Sequence, residues 1–538
     1  MTQPPWWRGA VIYEIYPRSF SDSNADGIGD LHGIISRLDY VASIGVDAVW
    51  IAPFFKSPMA DFGYDVSDYR SVDPMFGSME DFDRLLARAH ELKLKVIIDQ
   101  VLSHTSNEHP WFKESRSNRS NPKSDWYVWA DPKEDGTPPN NWLSIFGGVA
   151  WRWEPRRGQY YLHNFLASQP DLNFHNPEVR RAVLDNLRFW LDKGVDGLRL
   201  DAINFCFHDP QLRNNPPKPP ELRISRAFSP ENPYAYQFHH YDNTRPENLV
   251  FLNQLRSLLD EYPHTVALGE VSSEDPLASM AEYTSGDRLH MAYSFELLSD
   301  DSSAEHLRTT VQTLEAHMSE GWPCWALSNH DVRRVVTRWG GAEPSPALAN
   351  QLLALLCSLR GSVCLFQGEE LGLPEASLPY DALRDPYGIA FYPNFKGRDG
   401  CRTPIPWNDA EFAGFSTVPP WLPVAHEHRG LCVLRQERDP YSTLNQFRAF
   451  LRWRKQHPVL VIGDITLRSI HESVFAFERT SGPDRIFLAF NLSPHALQLD
   501  VPLLREFKQI ESVGLLSGEL AGSALQLPAH GAVFAQPR

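Results

Sequence analysis

Four short runs of apolar and β-branched residues carry acids at or near their ends: KVIIDQV with Asp99, GLRLDAI with Asp201, TVALGEV with Glu270, and CWALSNHD with His330 and Asp331. One carboxylate in such a place is as readily a helix cap or a solvated terminus. Several on converging strands would repel one another, and that cost points to chemistry. Arg199 and Asp201 stand two apart on one strand, so both side chains leave the same face. The guanidinium favours the ionised form of Asp201, which suits a nucleophile, whereas Glu270, facing other acids, is expected to keep its proton and act as a donor. One ionised carboxylate beside one protonated carboxyl is the equipment of glycoside hydrolysis.

The elements that must hold these groups follow from the same runs. AVIYEIY, DAVWIAP, KVIIDQV, GLRLDAI, TVALGEV, HMAYSFEL, CWALSNHD and SVCLFQGE read as strands, and eight is the number that closes a barrel. Between them, segments such as MEDFDRLLARAHELKL and NPEVRRAVLDNLRFWLDKGV repeat their apolar residues every three or four positions, as helices do. This alternation predicts an α/β fold, a (β/α)8 TIM barrel with its site at the C-terminal ends of the strands. A Trp-, Pro- and Asn-rich stretch after the third strand predicts an inserted subdomain over 104–173. Short strands such as those in SVFAFERTSGPDRIFLAFNLS predict a C-terminal antiparallel β domain over 458–538. The barrel then occupies 1–103 and 174–457. A long Pro- and Asn-rich connection runs from Phe205 to about Asn248, far beyond the ordinary 2–6 residues, and long loops at this end of a barrel shape the site.

The 538 residues are 42% hydrophobic and 22% charged, an ordinary globular composition. A formal net charge of −16 opposes nucleic acid and anionic membranes and favours a neutral ligand. No run approaches the roughly 20 apolar residues of a membrane helix, and MTQPPWWRGAVIYEIYPRSF does not read as a secretory signal. Six cysteines without a CxxC pair argue against a metal cluster or a disulfide framework, so reduced thiols in the cytoplasm are expected.

The blocks GVDAVWIAPFFKSP, DQVLSH, QPDLN, GLRLDA, GEV, SNHD, FQGEELGLP and GRDGCRTP occur in this order, and with them the chain resembles glycoside hydrolase family 13, the α-amylase superfamily, in its α-glucosidase and oligo-1,6-glucosidase branch. The resemblance covers nearly the whole chain. It implies that Asp201 is the nucleophile, Glu270 the acid/base and Asp331 a third carboxylate that holds sugar hydroxyls. It implies that Asp61, Tyr64, His104, Arg199 and His330 line the pocket of the terminal glucose, with Phe146 and Phe165 as aromatic walls. Asp61 paired with Arg398 would grip the non-reducing end, Arg402 ranking second for that role. Ser103 stands where the family's block usually has Asn.

DSNADGIGD, Asp22 to Asp30, opens like an EF-hand loop, although Gly33 occupies the twelfth position where that motif needs Glu. The resemblance makes Asp22, Asn24, Asp26, the Ile28 carbonyl and Asp30 a structural site for Ca2+ or Mg2+; no organic cofactor is implied. The expected activity is retaining, exo-acting hydrolysis of short α-1,4-glucosides such as maltose, because Ala202 follows the nucleophile where α-1,6-preferring relatives tend to have Val. Transfer to small alcohol or sugar acceptors is expected beside hydrolysis, in a monomer or homodimer. Oligo-1,6-glucosidase, transglucosidase or isomerase activity shares the same catalytic residues. A catalytically silent binding barrel would lack the full acidic set.

Overall fold

The computed structural model describes the whole chain except residues 1–3, 224–230, 319, 343, 512, 513 and 516. Eight parallel strands, β1 (Val11–Ile15), β2 (Ala48–Ile51), β3 (Lys95–Val101), β4 (Gly197–Asp201), β5 (Val266–Val271), β6 (Met291–Ser294), β7 (Cys324–Ala326) and β8 (Ser362–Phe366), pair in the order β6-β5-β4-β3-β2-β1-β8-β7. A parallel bridge between Ala292 and Pro323 closes the ring. The chain forms the expected TIM barrel.

Strand alternation explains what faces inward. On β1, Val11, Tyr13 and Ile15 pack outward in the main core, while Ile12 belongs to the barrel interior with Ala48, Trp50, Ile97, Val266, Leu268 and Met291. Continuing two residues along each strand brings Glu14, Asp99, Arg199 and Glu270 into the same interior, one layer nearer the C-terminal ends. The apolar layer is thus a floor under a charged one.

The outer ring includes helices α1 (Leu31–Ile44), α2 (Met79–Glu91), α3 (Pro177–Asp192), α4 (Asn248–Leu259), α5 (Pro276–Tyr283), α6 (Ala304–His317), α7 (Pro346–Leu356) and α8 (Thr443–Lys455). Their starts are written in the sequence: Asp30 caps Gly33 N, Ser78 and Asp81 form a reciprocal capping box, and Asn176 precedes Pro177.

The insertion after β3 folds around a small antiparallel sheet of Trp129–Ala130, Gln159–Leu162 and Trp151–Glu154. At the C-terminus a five-stranded sheet begins at Asp464, after a short helix Pro458–Ile462, and a three-stranded sheet packs with it. All six cysteines are buried and free. Among the described residues no helix is long and apolar enough to cross a membrane.

Candidate active site

Arg199 is the centre of the charged layer. Its Nη1 donates to Asp201 Oδ1 at 2.7 Å and to both oxygens of Asp99 at 2.9 and 3.0 Å. Its Nη2 meets Glu270 Oε2 and lies 2.9 Å from the Tyr293 hydroxyl, which in turn donates to Glu270 at 2.7 Å. Asp201 is the last residue of β4, and the chain turns at once because Ala202 adopts a left-handed conformation with φ 40°. Glu270 is the penultimate residue of β5. The two carboxyls therefore share one guanidinium.

His330 and Asp331 lie beyond β7, which ends at Ala326, rather than on the strand as the sequence suggests. Ser328 Oγ and Asn329 Oδ1 accept the backbone N–H groups of Val335 and Asp331, and these local bonds replace ladder pairing. Arg402 Nη2 (2.7 Å) and Arg398 Nη1 (3.2 Å) both donate to Asp331 Oδ1, and His330 Nε2 is 3.4 Å from its other oxygen. Arg398 Nη2 also donates to Asp61 Oδ1 at 2.7 Å.

Burial and these charges set the protonation. For Asp201, burial, helped by Asp99 and Asp331, pushes the carboxyl up to about 7 against the pull of Arg199. Arg199 still favours the ionised form, as the sequence reading has it, but burial of the carboxyl outweighs that pull. Burial would also raise Asp331, but the adjacent His330 ring and the guanidinium charges of Arg398, Arg402 and Arg199 outweigh it and hold the carboxyl well below the usual range. Burial pushes His104 down to about 4 and keeps its imidazole neutral.

These groups open onto a cavity of about 430 Å³ whose wall includes Asp61, Tyr64, His104, Asp201, Glu270, Asp331 and Arg398. Phe146 and Phe165 also line it, with the Arg398 guanidinium 5.0 Å from the Phe146 ring centre. Arg199 and His330 do not line it. Both are fully buried behind the carboxylates and Tyr64, so their expected contact with the sugar becomes an indirect one. Arg402 is likewise fully buried, which leaves Arg398 as the arginine that faces the cavity. Ser103 Oγ bonds His104 Nδ1 at 3.0 Å, so the residue that departs from the family block still braces the histidine.

Sequence reasoning passed over several residues of this constellation. Gln169 donates to Asp61 Oδ2 at 3.1 Å from within the QPDLN block, and Asp385 grips Arg398 at 2.9 Å. Tyr293 and Glu14 are polar residues in apolar strands, a signal that the inward phase of β6 and β1 could have exposed. On the far side of the cavity, Lys218, Tyr234, Phe238 and His239 of the long connection after β4 form the wall. That connection is pinned to the insertion by Asn141–Asn215, Trp142–Arg213 and Asn232–Ile145 hydrogen bonds of 2.7–2.9 Å. Its residues 224–230 lie outside the described residues.

In the Asp22–Asp30 loop the oxygen donors are of the hard type that Ca2+ or Mg2+ takes. Asp22, Asn24 and Asp26 presently accept the loop's own N–H groups, and Asp30 is engaged by Gly33 N and Ser23. Among the described residues no three Asp, Glu, His or Cys side chains converge as a metal set. The ligand chemistry suits a cation, but four of the five groups would have to loosen bonds they now make within the loop.

Over residues 14–463 the chain matches the alpha amylase catalytic domain family. It belongs to that family, glycoside hydrolase family 13. It is 55% identical to the "Probable alpha-glucosidase" of Rhizobium meliloti (strain 1021), over 99% of this chain and 97% of that protein. It is 37% identical to the oligo-1,6-glucosidase of Parageobacillus thermoglucosidasius, over 91% and 90%. The crystal structure of the alpha-glucosyl transfer enzyme XgtA matches it with a TM-score of 0.99 and 64% identity, each chain covered completely. This family 13 chain is an enzyme of the α-glucosidase and oligo-1,6-glucosidase branch.

Proposed function

We propose that the enzyme removes the terminal glucose of short α-1,4-glucosides such as maltose with retention of configuration, and passes it to water or to a small alcohol or sugar. The pocket carries this reading. The buried Asp61–Arg398 pair on the cavity wall supports a stop for the non-reducing end, and the pinned connection after β4 supports a wall for the leaving-group side. A cavity of this size, at the low end of the roughly 300–1,000 Å³ usual for ligand sites, suits a disaccharide better than a chain.

Two carboxyls on one guanidinium fit the short separation, about 5–5.5 Å, of a retaining pair rather than the wider gap that leaves room for water. Ionised Asp201 attacks the anomeric carbon while Glu270 gives its proton to the departing glycosidic oxygen. Glu270 then takes a proton from the incoming hydroxyl, whose oxygen displaces Asp201 and restores the free enzyme. Asp331, held by two arginines, accepts hydrogen bonds from the sugar hydroxyls. Transfer is supported by the mixed lining, where the apolar Val271, Phe238 and Phe295 stand beside the polar Lys218, His239 and Glu274, a surface that suits a small alcohol or sugar as acceptor. Ca2+ or Mg2+ in the Asp22–Asp30 loop would act on stability, far from these steps in role.

Initial rates on maltose, isomaltose and maltotetraose, with and without a small alcohol, test the reading, and NMR of the first product gives its anomeric configuration. Maltose should be fastest, with α-glucose or an α-glucoside released. Isomaltose at or above maltose would shift the assignment to an oligo-1,6-glucosidase. Efficient maltotetraose cleavage would overturn the short-substrate reading, and a β-anomer would overturn retention.

A further inference from the structure

Glu14 is fully buried inside the barrel on β1, and none of the steps above uses it. Its Oε1 lies 2.5 Å from His330 Nδ1, across 316 residues of sequence, and its Oε2 has no hydrogen-bond partner among the described residues. On the other side of the imidazole, His330 Nε2 is 2.5 Å from the Tyr64 hydroxyl, which is also 3.1 Å from Asp99 Oδ2.

Counting hydrogens along this chain fixes its direction. Asp99 takes donors from Arg199 and Trp50, so it is the acceptor end and receives the single hydroxyl hydrogen of Tyr64. The Tyr64 oxygen must then receive a hydrogen from His330 Nε2. A neutral imidazole with its hydrogen on Nε2 has a bare Nδ1, and the partner of Nδ1 has to donate. Only a protonated Glu14 does that. The unpartnered Oε2 agrees, since a buried carbonyl oxygen is cheaper to leave bare than a buried carboxylate oxygen.

We propose that Glu14 is a positioning residue: its carboxylic acid hydrogen, donated to His330 Nδ1, fixes the imidazole with its hydrogen on Nε2 and so orients Tyr64 and Asp331 at the base of the pocket. The groups around it agree in direction. Burial, Cys364, Asp331 and Asp99 raise the Glu14 carboxyl well above its usual range against Arg199. Burial, with Arg402, Arg199 and Arg398, lowers His330 to about 3 despite Asp331. Both groups of the pair are therefore neutral. The chain runs Glu14, His330, Tyr64, Asp99, Arg199 and ends on Asp201, linking an acid on the first strand to the nucleophile on the fourth.

The inference rests on the glucosidase reading only for its consequence, and the test separates the two. Protein labelled with 15N-histidine, with the His330 signals assigned by their loss in His330→Gln, reports the tautomer without any substrate. Wild type and Glu14→Gln, whose amide can donate to the same nitrogen, should both show a pyrrole-type Nε2 and a pyridine-type Nδ1. Glu14→Leu should lose that pattern and lose at least about tenfold in kcat with little change in KM, and Glu14→Gln should recover most of the loss. A pyrrole-type Nδ1 in wild type overturns the proposal, as does a Glu14→Leu protein with wild-type tautomer and rate. If Glu14→Leu does not fold, the wild-type and Glu14→Gln spectra decide. An expected tautomer in a protein inactive on maltose would refute the substrate and leave the role of Glu14 standing.

Discussion

Lowering the pH from about 8 to about 5 should reduce kcat/KM on p-nitrophenyl α-glucoside by roughly two orders of magnitude while the protein stays folded. The cause is Asp201, whose carboxyl is pushed from its ordinary 3.8 up to about 7. An acid with that value is about half ionised at pH 7, about a tenth at pH 6 and about a hundredth at pH 5, and kcat/KM follows the ionised nucleophile of the free enzyme. With an ordinary value it would remain more than about nine-tenths ionised at pH 5, and the profile would be flat there. The same shift has a stability counterpart. Because the folded value is raised, this contribution is fully present below the ordinary value and is lost as the pH rises through about 7. Asp201→Asn cannot ionise and escapes the loss. The melting temperature of the variant relative to wild type should therefore increase from about pH 4.5 to about pH 8. A rate profile level between about pH 5 and 7, or a melting difference that does not grow with pH, would refute the assigned ionisation.

The remaining expectations concern separate parts of the molecule. Asp201→Asn and Glu270→Gln should each lose at least about a thousandfold in rate with an unchanged near-ultraviolet circular dichroism spectrum, since acid/base help alone is worth about 10²–10⁴. Wild-type turnover by either variant would end its assignment. A strong chelator should lower the melting temperature through the Asp22–Asp30 loop more than it alters the rate at low temperature; an unchanged melting curve in protein proven metal-free by elemental analysis counts against the site. Glu274 holds Lys218 Nζ at 2.6 Å and the His239 N–H at 3.0 Å, fastening the connection after β4 beside the pocket. Glu274→Ala should raise the maltotetraose-to-maltose rate ratio several-fold, and a constant ratio would show that this wall does not limit chain length.

What was legible in the sequence and what was not divides along physical lines. The strands could be read because inward and outward residues alternate with the strand period, and the runs KVIIDQV and GLRLD coincide with β3 and β4. Asp201 and Glu270 could be read because they finish apolar strands, where a charge needs a reason. The end of the seventh strand could not, because Ser328 and Asn329 divert the backbone through side-chain bonds that a hydrophobic pattern does not register. The partners of Asp385 and Glu14 could not be read: Asp385 meets Arg398 through the fold of the segment after β8, and Glu14, whose place in an apolar strand was a signal, meets His330 only through closure of the barrel. The protonation of Asp201 shows the same limit in energetic form. Spacing alone places Arg199 beside Asp201 and predicts an ionised acid. The fold then spreads one guanidinium over Asp99, Asp201 and Glu270 in a buried layer, and burial of the carboxyl outweighs its share of that charge. A neighbour in sequence fixes which groups can meet; how strongly they act depends on everything else that meets them.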